Sequence, residues 1–301
     1  MDNYVSIHLT VVTELTSNYG ESSGNISTIQ KQYKNGKPHA ARSAESMKRA
    51  ILDQANFYLD LVTDVNTVAQ IHADEEVNAA THRANEGGYM NTKKDGFTVS
   101  RLSSIIVTPA ISFTPYSAPL EFHHNKGLAD NYAAAHGLNS QKDARETGLS
   151  IHSREFSKDL KYYSVVIEIK RIGVDEQFNQ EASAEEKALR VKAILKAIHT
   201  LSPRVKGCID NAEPIFIVGG MSDRISPYFD NCIHVKNGAL ECNSTLIDKL
   251  NEGYQCGLLE CGTLSNESEI REKLHPLSVN EFFRQLEEQV DQFYGVGGAA
   301  Q

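Results

Sequence analysis

The order in which two periodicities follow one another constrains this chain more than any single motif. Residues 4–12, YVSIHLTVV, alternate: Val5, Ile7, Leu9 and Val11 point one way, and Ser6, His8 and Thr10 the other. That is a strand with one buried face and one polar face. From Ser43 the spacing changes. Met47, Ile51, Ala55, Tyr58 and Val62 recur every three or four residues, predicting a helix with Ser43 as its N-cap. SSIIVTPAISF (103–113) then reads as a strand broken by Pro109. YYSVVIEIKRI (162–172) puts Tyr163, Val165, Ile167 and Ile169 on one face. Ser183 and Glu186 form a capping box ahead of the stripe Val191, Ile194, Ile198 and Leu201. PIFIVGG (214–220) is a short buried strand. Strand, helix, strand, strand, helix, strand is the order of a ferredoxin-like α+β core.

The remaining segments decorate that core. A hairpin is predicted to turn at Asn237–Gly238. A second capping box, Ser278 with Glu281, opens a last helix with Phe282, Leu286, Val290 and Phe293 inward. Residues 13–42 read as one long loop, and residues 63–100 and 118–157 as irregular insertions. No internal repeat or linker composition divides the chain, so residues 1–301 are expected to form one decorated domain.

Composition bounds the function. With 40% hydrophobic and 23% charged residues the chain is globular in character. It lacks an apolar run of 18 residues and opens MDNYVSIH, without the cationic start of a signal peptide, so a cytoplasmic protein away from membranes is expected. The five cysteines all fall in the last third without a CxxC, which points to free thiols rather than zinc or disulfides. Ile217–Met221, IVGGM, lacks the remainder of a phosphate-loop fingerprint and reads as a plain turn. His123 and His124 read as surface-loop histidines, and Asp74, Glu75 and Glu76 as a solvated helix face. Ser112 and Ser117 have no GxSxG around them. No catalytic residue, metal ligand or cofactor is expected. The net charge of −9 argues against indiscriminate nucleic-acid binding, yet residues 31–49 carry six cations (Lys31, Lys34, Lys37, Arg42, Lys48, Arg49) against one acid, Glu45. Most such runs are solvated surface. This one lies beside Ser43 and Ser46 at a helix start.

Two stretches carry a resemblance. VSIHLTVV, followed by GNISTIQKQYKNGKPHAARSAESMKRAIL, resembles the N-terminal signature of the backbone subunit of Cascade, the type I, class 1 CRISPR surveillance complex. The nearer likeness is to its DevR-type branch within the RAMP superfamily: Ser43, Ser46, Lys48 and Arg49 stand where that pattern has its Ser-x-x-Ser-x-Lys-Arg helix start. GLSIHSREFSKDLKYYSVVIEI matches a second segment through Gly148, His152, Glu155, Phe156 and Ser157. The resemblance implies a hand-shaped protein with an RRM-like palm, fingers at residues 63–100 and a thumb hairpin within residues 115–157. It implies copies lined head to tail along a CRISPR guide RNA, each thumb displacing a nucleotide, with target DNA recognised through the guide and with other Cascade subunits as partners. Asn18, Asn25, Lys34, Lys37, Arg42, Ser43, Ser46, Lys48 and Arg49 would then line the guide path. Phe122, His123, His124 and Lys126 would lie near the thumb tip against displaced bases.

Such an assignment has a physical basis. A helix N-terminus offers unpaired N–H groups and partial positive charge, which suit phosphate. Serine hydroxyls and cations add contacts that hold a backbone without reading bases. The polar side of the first strand (Ser6, His8, Thr10) lacks the aromatics of a base-reading sheet, so that face is not expected to be the platform. Two rival readings remain. A precursor-processing endoribonuclease would use His8 and His39, which flank the first long loop. A transcriptional regulator is suggested by the DevR name but by no helix-turn-helix spacing. Target cleavage by a loop aspartate is not expected, because residues 13–42 contain none.

Overall fold

The computed structural model describes residues 4–297 apart from 24, 95, 118, 119 and 206, with backbone alone at 19, 21 and 23. The first strand, β1 (Ser6–Thr16), runs four residues past the alternating segment. What read as a long loop is four short strands: β2 (Tyr19–Ser23), β3 (Ile26–Ile29), β4 (Lys31–Lys34) and β5 (Lys37–Arg42). The missed signal was KNGK. Asn35 and Gly36 take left-handed φ values of 52° and 74° and close β4 onto β5 as a two-residue hairpin.

Helix α1 (Ala44–Gln54) starts at its predicted cap but ends before Tyr58 and Val62. Asn56 adopts a left-handed φ of 61°, which stops the helix after Ala55 and leaves Val62 exposed. Residues 63–100 hold two hairpins, β6 (Thr63–Asn66) with β7 (Val68–Ile71), and β8 (Tyr89–Thr92) with β9 (Thr98–Arg101). Asp74, Glu75 and Glu76 lie in a bend between them, not on a helix. Pro109 separates β10 (Ile105–Val107) from β11 (Ala110–Pro115), as expected. Within 115–157, β12 (Glu121–His124) pairs antiparallel with β13 (Ile151–Arg154) around helix α2 (Lys126–His136).

The second half completes the core with β14 (Lys158–Ile167), a ribbon of β15 (Val174–Asp175) and β16 (Gln180–Glu181), and helix α3 (Ala184–His199). A second ribbon, β17 (Arg204–Val205) with β18 (Cys208–Ile209), leads to β19 (Phe216–Ser222). The predicted hairpin joins β20 (Val235–Lys236) to β21 (Ala239–Leu240). Helix α4 (Ser244–Leu250), β22 (Gln255–Leu258), α5 (Glu267–Leu274), β23 (Leu277–Ser278) and α6 (Val279–Tyr294) follow.

The main sheet runs β23-β22-β19-β1-β14-β11-β5-β4, with β10 also on β14. Its centre, β19-β1-β14-β10/β11, interleaves two β-α-β units, the arrangement that the order of periodicities predicted. On one face Ile7, Leu9, Val11, Tyr163, Val165 and Ile167 pack under α1, α3 and α6, meeting Met47, Ile51, Val191, Ile194, Phe282 and Leu286. Each such apolar side chain contributes about 1.5–3 kcal/mol on burial.

The other face corrects the sequence reading. Ser6, His8 and Thr10 are buried, not solvent-facing. Residues 215–274 cover that side through Phe229, Cys232, Ile233, Leu246 and Ile270, packed on Val12, Phe216 and Val218. The polar strip is bonded beneath this cover: His8 Nε2 meets the Arg224 carbonyl at 2.6 Å, and Thr10 meets Ser164 at 2.6 Å. The sheet face is therefore closed to a base for a reason the sequence did not reveal. Gly219 and Gly220 are strand interior, not a turn; a Cβ at Gly219 would stand 1.9 Å from the His8 carbonyl oxygen.

Candidate nucleic-acid interface

The start of α1 is fixed from two sides. Ser43 is extended (φ −62°, ψ 152°), and its Oγ accepts from the Ser46 amide at 3.2 Å. The Ser43 amide donates to Asn18 Oδ1 at 3.1 Å, tying the end of β1 to the helix. Ser46 Oγ in turn accepts from Arg42 Nε at 3.0 Å. Asn18 thus positions the helix start, and both serine oxygens are engaged as acceptors, leaving their hydroxyl protons to be donated.

Arg42, the last residue of β5, is 4% exposed. Burial pushes its pKa below the usual guanidinium value, opposed by the Asp210 carboxylate and the Tyr163 hydroxyl. Among the described residues Arg42 Nη1 has no hydrogen-bond partner, and neither do Ser17 Oγ and Tyr163 Oη. Burial raises the Tyr163 pKa, so its phenol keeps its proton. Asp210 is committed elsewhere: it accepts from the Thr16 amide at 2.8 Å and the Thr16 hydroxyl at 2.9 Å. Arg42 is thus a buried donor at the helix start, bonded to Ser46 through Nε and free at Nη1 among the described residues. A buried donor without a partner costs about 1–3 kcal/mol, and what would satisfy Arg42 Nη1 is an acceptor.

Above Arg42 opens a cleft of about 640 Å³. Ser46, Arg49 and Gln54 of α1 form one wall, and Ser202, Pro203 and Arg204 the other. Gln54 holds the walls together: Nε2 donates to the Thr200 carbonyl, and Oε1 accepts from the Ser202 amide at 2.8 Å. Arg49 lies 4.1 Å over the Tyr58 ring and pairs with Asp53 at 3.1 Å, its side chain 57% exposed. Arg204 and Gln54 were not singled out by the sequence. Arg204 lies about 160 residues from Arg42 along the chain, and no local pattern marks it.

The other expected residues are dispersed. Lys48 turns away from this cleft, toward Glu45 at 3.4 Å and the Gly87 carbonyl at 3.4 Å, and lines a second cleft that also contains Glu168. Lys34 and Lys37 line a third, on the outer side of β5. Asn25 is exposed, and its carbonyl accepts from the Ser153 amide at 2.8 Å. Phe122, His123 and His124 lie on β12, on the stem of its hairpin; the intervening connection is α2 and the turns after it. Phe122 is exposed, His123 stacks on His152 at 5.3 Å, and Lys126 pairs with Asp130 at 2.5 Å. Asn125 closes the hairpin neck through the Ser150 amide (2.7 Å) and the Gly148 carbonyl (2.9 Å). Glu155 takes the Ile29 amide at 3.0 Å and the Lys31 ammonium at 2.6 Å, fastening a four-stranded sheet, β12-β13-β3-β2, beside the main one.

His8 and His39 are both buried. Burial lowers the pKa of His8, while His39 Nδ1 meets the Ser112 carbonyl at 2.8 Å. Among the described residues no cluster of three or more His, Cys, Asp or Glu could hold a metal, and no helix is long and apolar enough to cross a membrane.

Residues 62–241 match the family described as "CRISPR-associated negative auto-regulator DevR/Csa2". Two solved structures share the fold. One is titled "CRISPR RNA-guided surveillance complex, pre-nicking" (TM-score 0.61, 11% identity, 96% of this chain and 99% of that one). The other, "CRISPR RNA-guided surveillance complex", has a TM-score of 0.58 at 13% identity with the same coverage. No curated protein sequence matches the chain.

Proposed function

The chain belongs to the CRISPR-associated DevR/Csa2 family, and from that premise we propose that it is an RNA-binding backbone subunit of a Cascade-type surveillance complex, repeated head to tail along a guide RNA. The observation that carries the proposal is the α1 cleft. The buried Arg42 keeps an unsatisfied nitrogen beside a helix N-terminus, and Arg42, Arg49 and Arg204 line the opening. Phosphodiester oxygens fit this arrangement: charge-assisted donors and an N-terminal dipole hold a backbone without reading its sequence. A subunit that carries guides of many sequences requires that indifference. Other subunits of the complex, target DNA paired to the guide and further copies of this chain are the partners the reading implies.

The test is native mass of the protein co-expressed with its CRISPR array and neighbouring subunits. RNA of uniform length in a multi-copy assembly is expected; an RNA-free monomer would overturn the proposal. The same preparation, incubated with repeat RNA without metal, should leave it intact. One defined cut, lost on His8 or His39 substitution, would favour the processing enzyme instead.

A further inference from the structure

The groove on the outer side of β5 is separate from the α1 cleft and differs from it in kind. Its volume is about 360 Å³, and its walls come from the β4–β5 hairpin, β11 and the β20 hairpin. Glu or Asp lines the α1 cleft (Asp53), the Lys48 cleft (Glu45, Glu168) and a cleft beside α6 (Glu213, Glu260). No acid lines this groove; Lys34, Lys37, His39, His234 and Lys236 do, in a chain of net charge −9. Lys236 is neutralised by Glu241. Lys34 and Lys37 form no ion pair within 4 Å among the described residues, although the charge of Lys34 acts on the buried Asp230 carboxylate.

The hairpin register sharpens this. Lys34 and Lys37 are directly opposite one another across the Asn35–Gly36 turn. Like charges at opposed positions share a face and repel, which destabilises the pair. An anion between them attracts both ammonium groups and offsets that repulsion. Beside them lies an aromatic wall: Phe113 stacks on Tyr162 at 5.1 Å and 28°, and Lys34 Nζ sits 5.5 Å over the Tyr162 ring. Cations next to a half-buried aromatic ring provide for both halves of a nucleotide.

We propose that this groove is a second nucleic-acid contact, binding one nucleotide of single-stranded RNA with its phosphate on Lys34 and Lys37 and its base against Phe113. The inference rests on the RNA-binding reading but concerns a different surface. It predicts that the strand held at α1 continues across, or returns to, the outer edge of the main sheet.

The probe is a single-stranded 20-mer RNA containing 5-iodouridine, crosslinked by ultraviolet light to the full-length chain and mapped to peptides. Labelling is expected both at the α1 cleft, near Tyr58, and in the groove at Phe113, His39 or His234. Lys34→Ala with Lys37→Ala, at two exposed positions, should reduce groove labelling severalfold and weaken binding roughly tenfold at low salt, with α1 labelling retained. Phe113→Leu, which keeps the wall apolar, should remove the label at that position with a smaller loss of affinity. Labels confined to the α1 cleft, with affinity unchanged in the double variant, would overturn this inference and leave the proposed function standing. No binding and no labels anywhere would overturn both.

Discussion

The α1 cleft and the insertion at residues 63–100 both bury charge, and they handle it in opposite ways. In the insertion Glu86 is fully buried and saturated: Arg190 at 2.9 Å, Arg101 at 3.1 Å, the Gly173 amide at 2.6 Å and the Ser104 hydroxyl. Arg83 adds a second pair with Glu186 at 2.8 Å, so the insertion is fastened to α3. At the cleft Arg42, 4% exposed, keeps a nitrogen with no partner among the described residues. A saturated buried charge is a fastening whose loss costs stability. An unsaturated one costs stability while it is unfilled, so its loss should cost binding.

The largest expected effect tests the fastening. Glu86→Gln leaves the buried Arg101 without its counter-charge and Arg190 with Glu186 alone, and should cost about 3–5 kcal/mol, measured as a lowered denaturant midpoint. A variant as stable as the parent would break the comparison. Arg42→Met should behave in the opposite sense. The RNA-free protein should melt at the same temperature or higher, while RNA affinity falls about thirtyfold, as for loss of charged hydrogen bonds worth about 2 kcal/mol. A variant that loses stability and binding together would make Arg42 a fastening as well. Arg204→Ala and Arg49→Ala should each weaken RNA binding about fivefold and flatten its salt dependence by roughly one phosphate. Lys48→Ala should stay within about twofold of the parent, because Lys48 faces Glu45 and Glu168 rather than the cleft.

The insertion also makes a pH prediction. His72 bonds Asp64 at 2.8 Å and Asp74 at 2.7 Å. Asp64, foremost, raises the His72 pKa, and His72 with Asn91 lowers that of Asp64 to about 2. The histidine contribution is complete below its ordinary value of 6.5 and is lost as pH rises through the raised one. The aspartate contribution is complete above 3.8 and is lost as pH falls toward about 2. The protection of the β6–β7 hairpin amides, taken relative to their intrinsic exchange at each pH, should therefore be greatest between about pH 4 and 6.5, and His72→Gln should flatten the alkaline limb. Protection as pH-dependent in His72→Gln as in the parent would assign the effect elsewhere.

Much of this fold was legible because local signals were strong. Ser43, Ser183 and Ser278 all cap helices as their spacing predicted, and Pro109 breaks the strand it was expected to break. The β2–β5 strands were hidden because Gly, Asn and Ser dilute their alternation, although KNGK marked one turn. The covering of Ser6, His8 and Thr10 was not legible at all. Alternation reveals which side chains share a face, not whether a segment 220 residues away closes over the polar one. The candidate site divides along the same line. Ser43, Ser46, Arg42 and Arg49 are neighbours in sequence and stay together. Lys34, Lys37 and Lys48 are also neighbours, but a strand edge and a turn of helix send them to other clefts. Arg204 reaches the site on the separate β17–β18 ribbon, which Gln54 ties to α1 through Thr200 and Ser202. The family match, residues 62–241, does not include the basic stretch at 31–49, so the cleft stands on its own geometry.

The most direct test of the cleft is the salt dependence of single-stranded RNA binding, compared between the parent chain and Arg42→Met with Arg204→Ala. Binding at α1 predicts that the double variant loses affinity about equally for RNAs of unrelated sequence, and that its log–log salt slope falls by roughly 0.7 per phosphate contact removed. Unchanged affinity and slope in a folded double variant would contradict it.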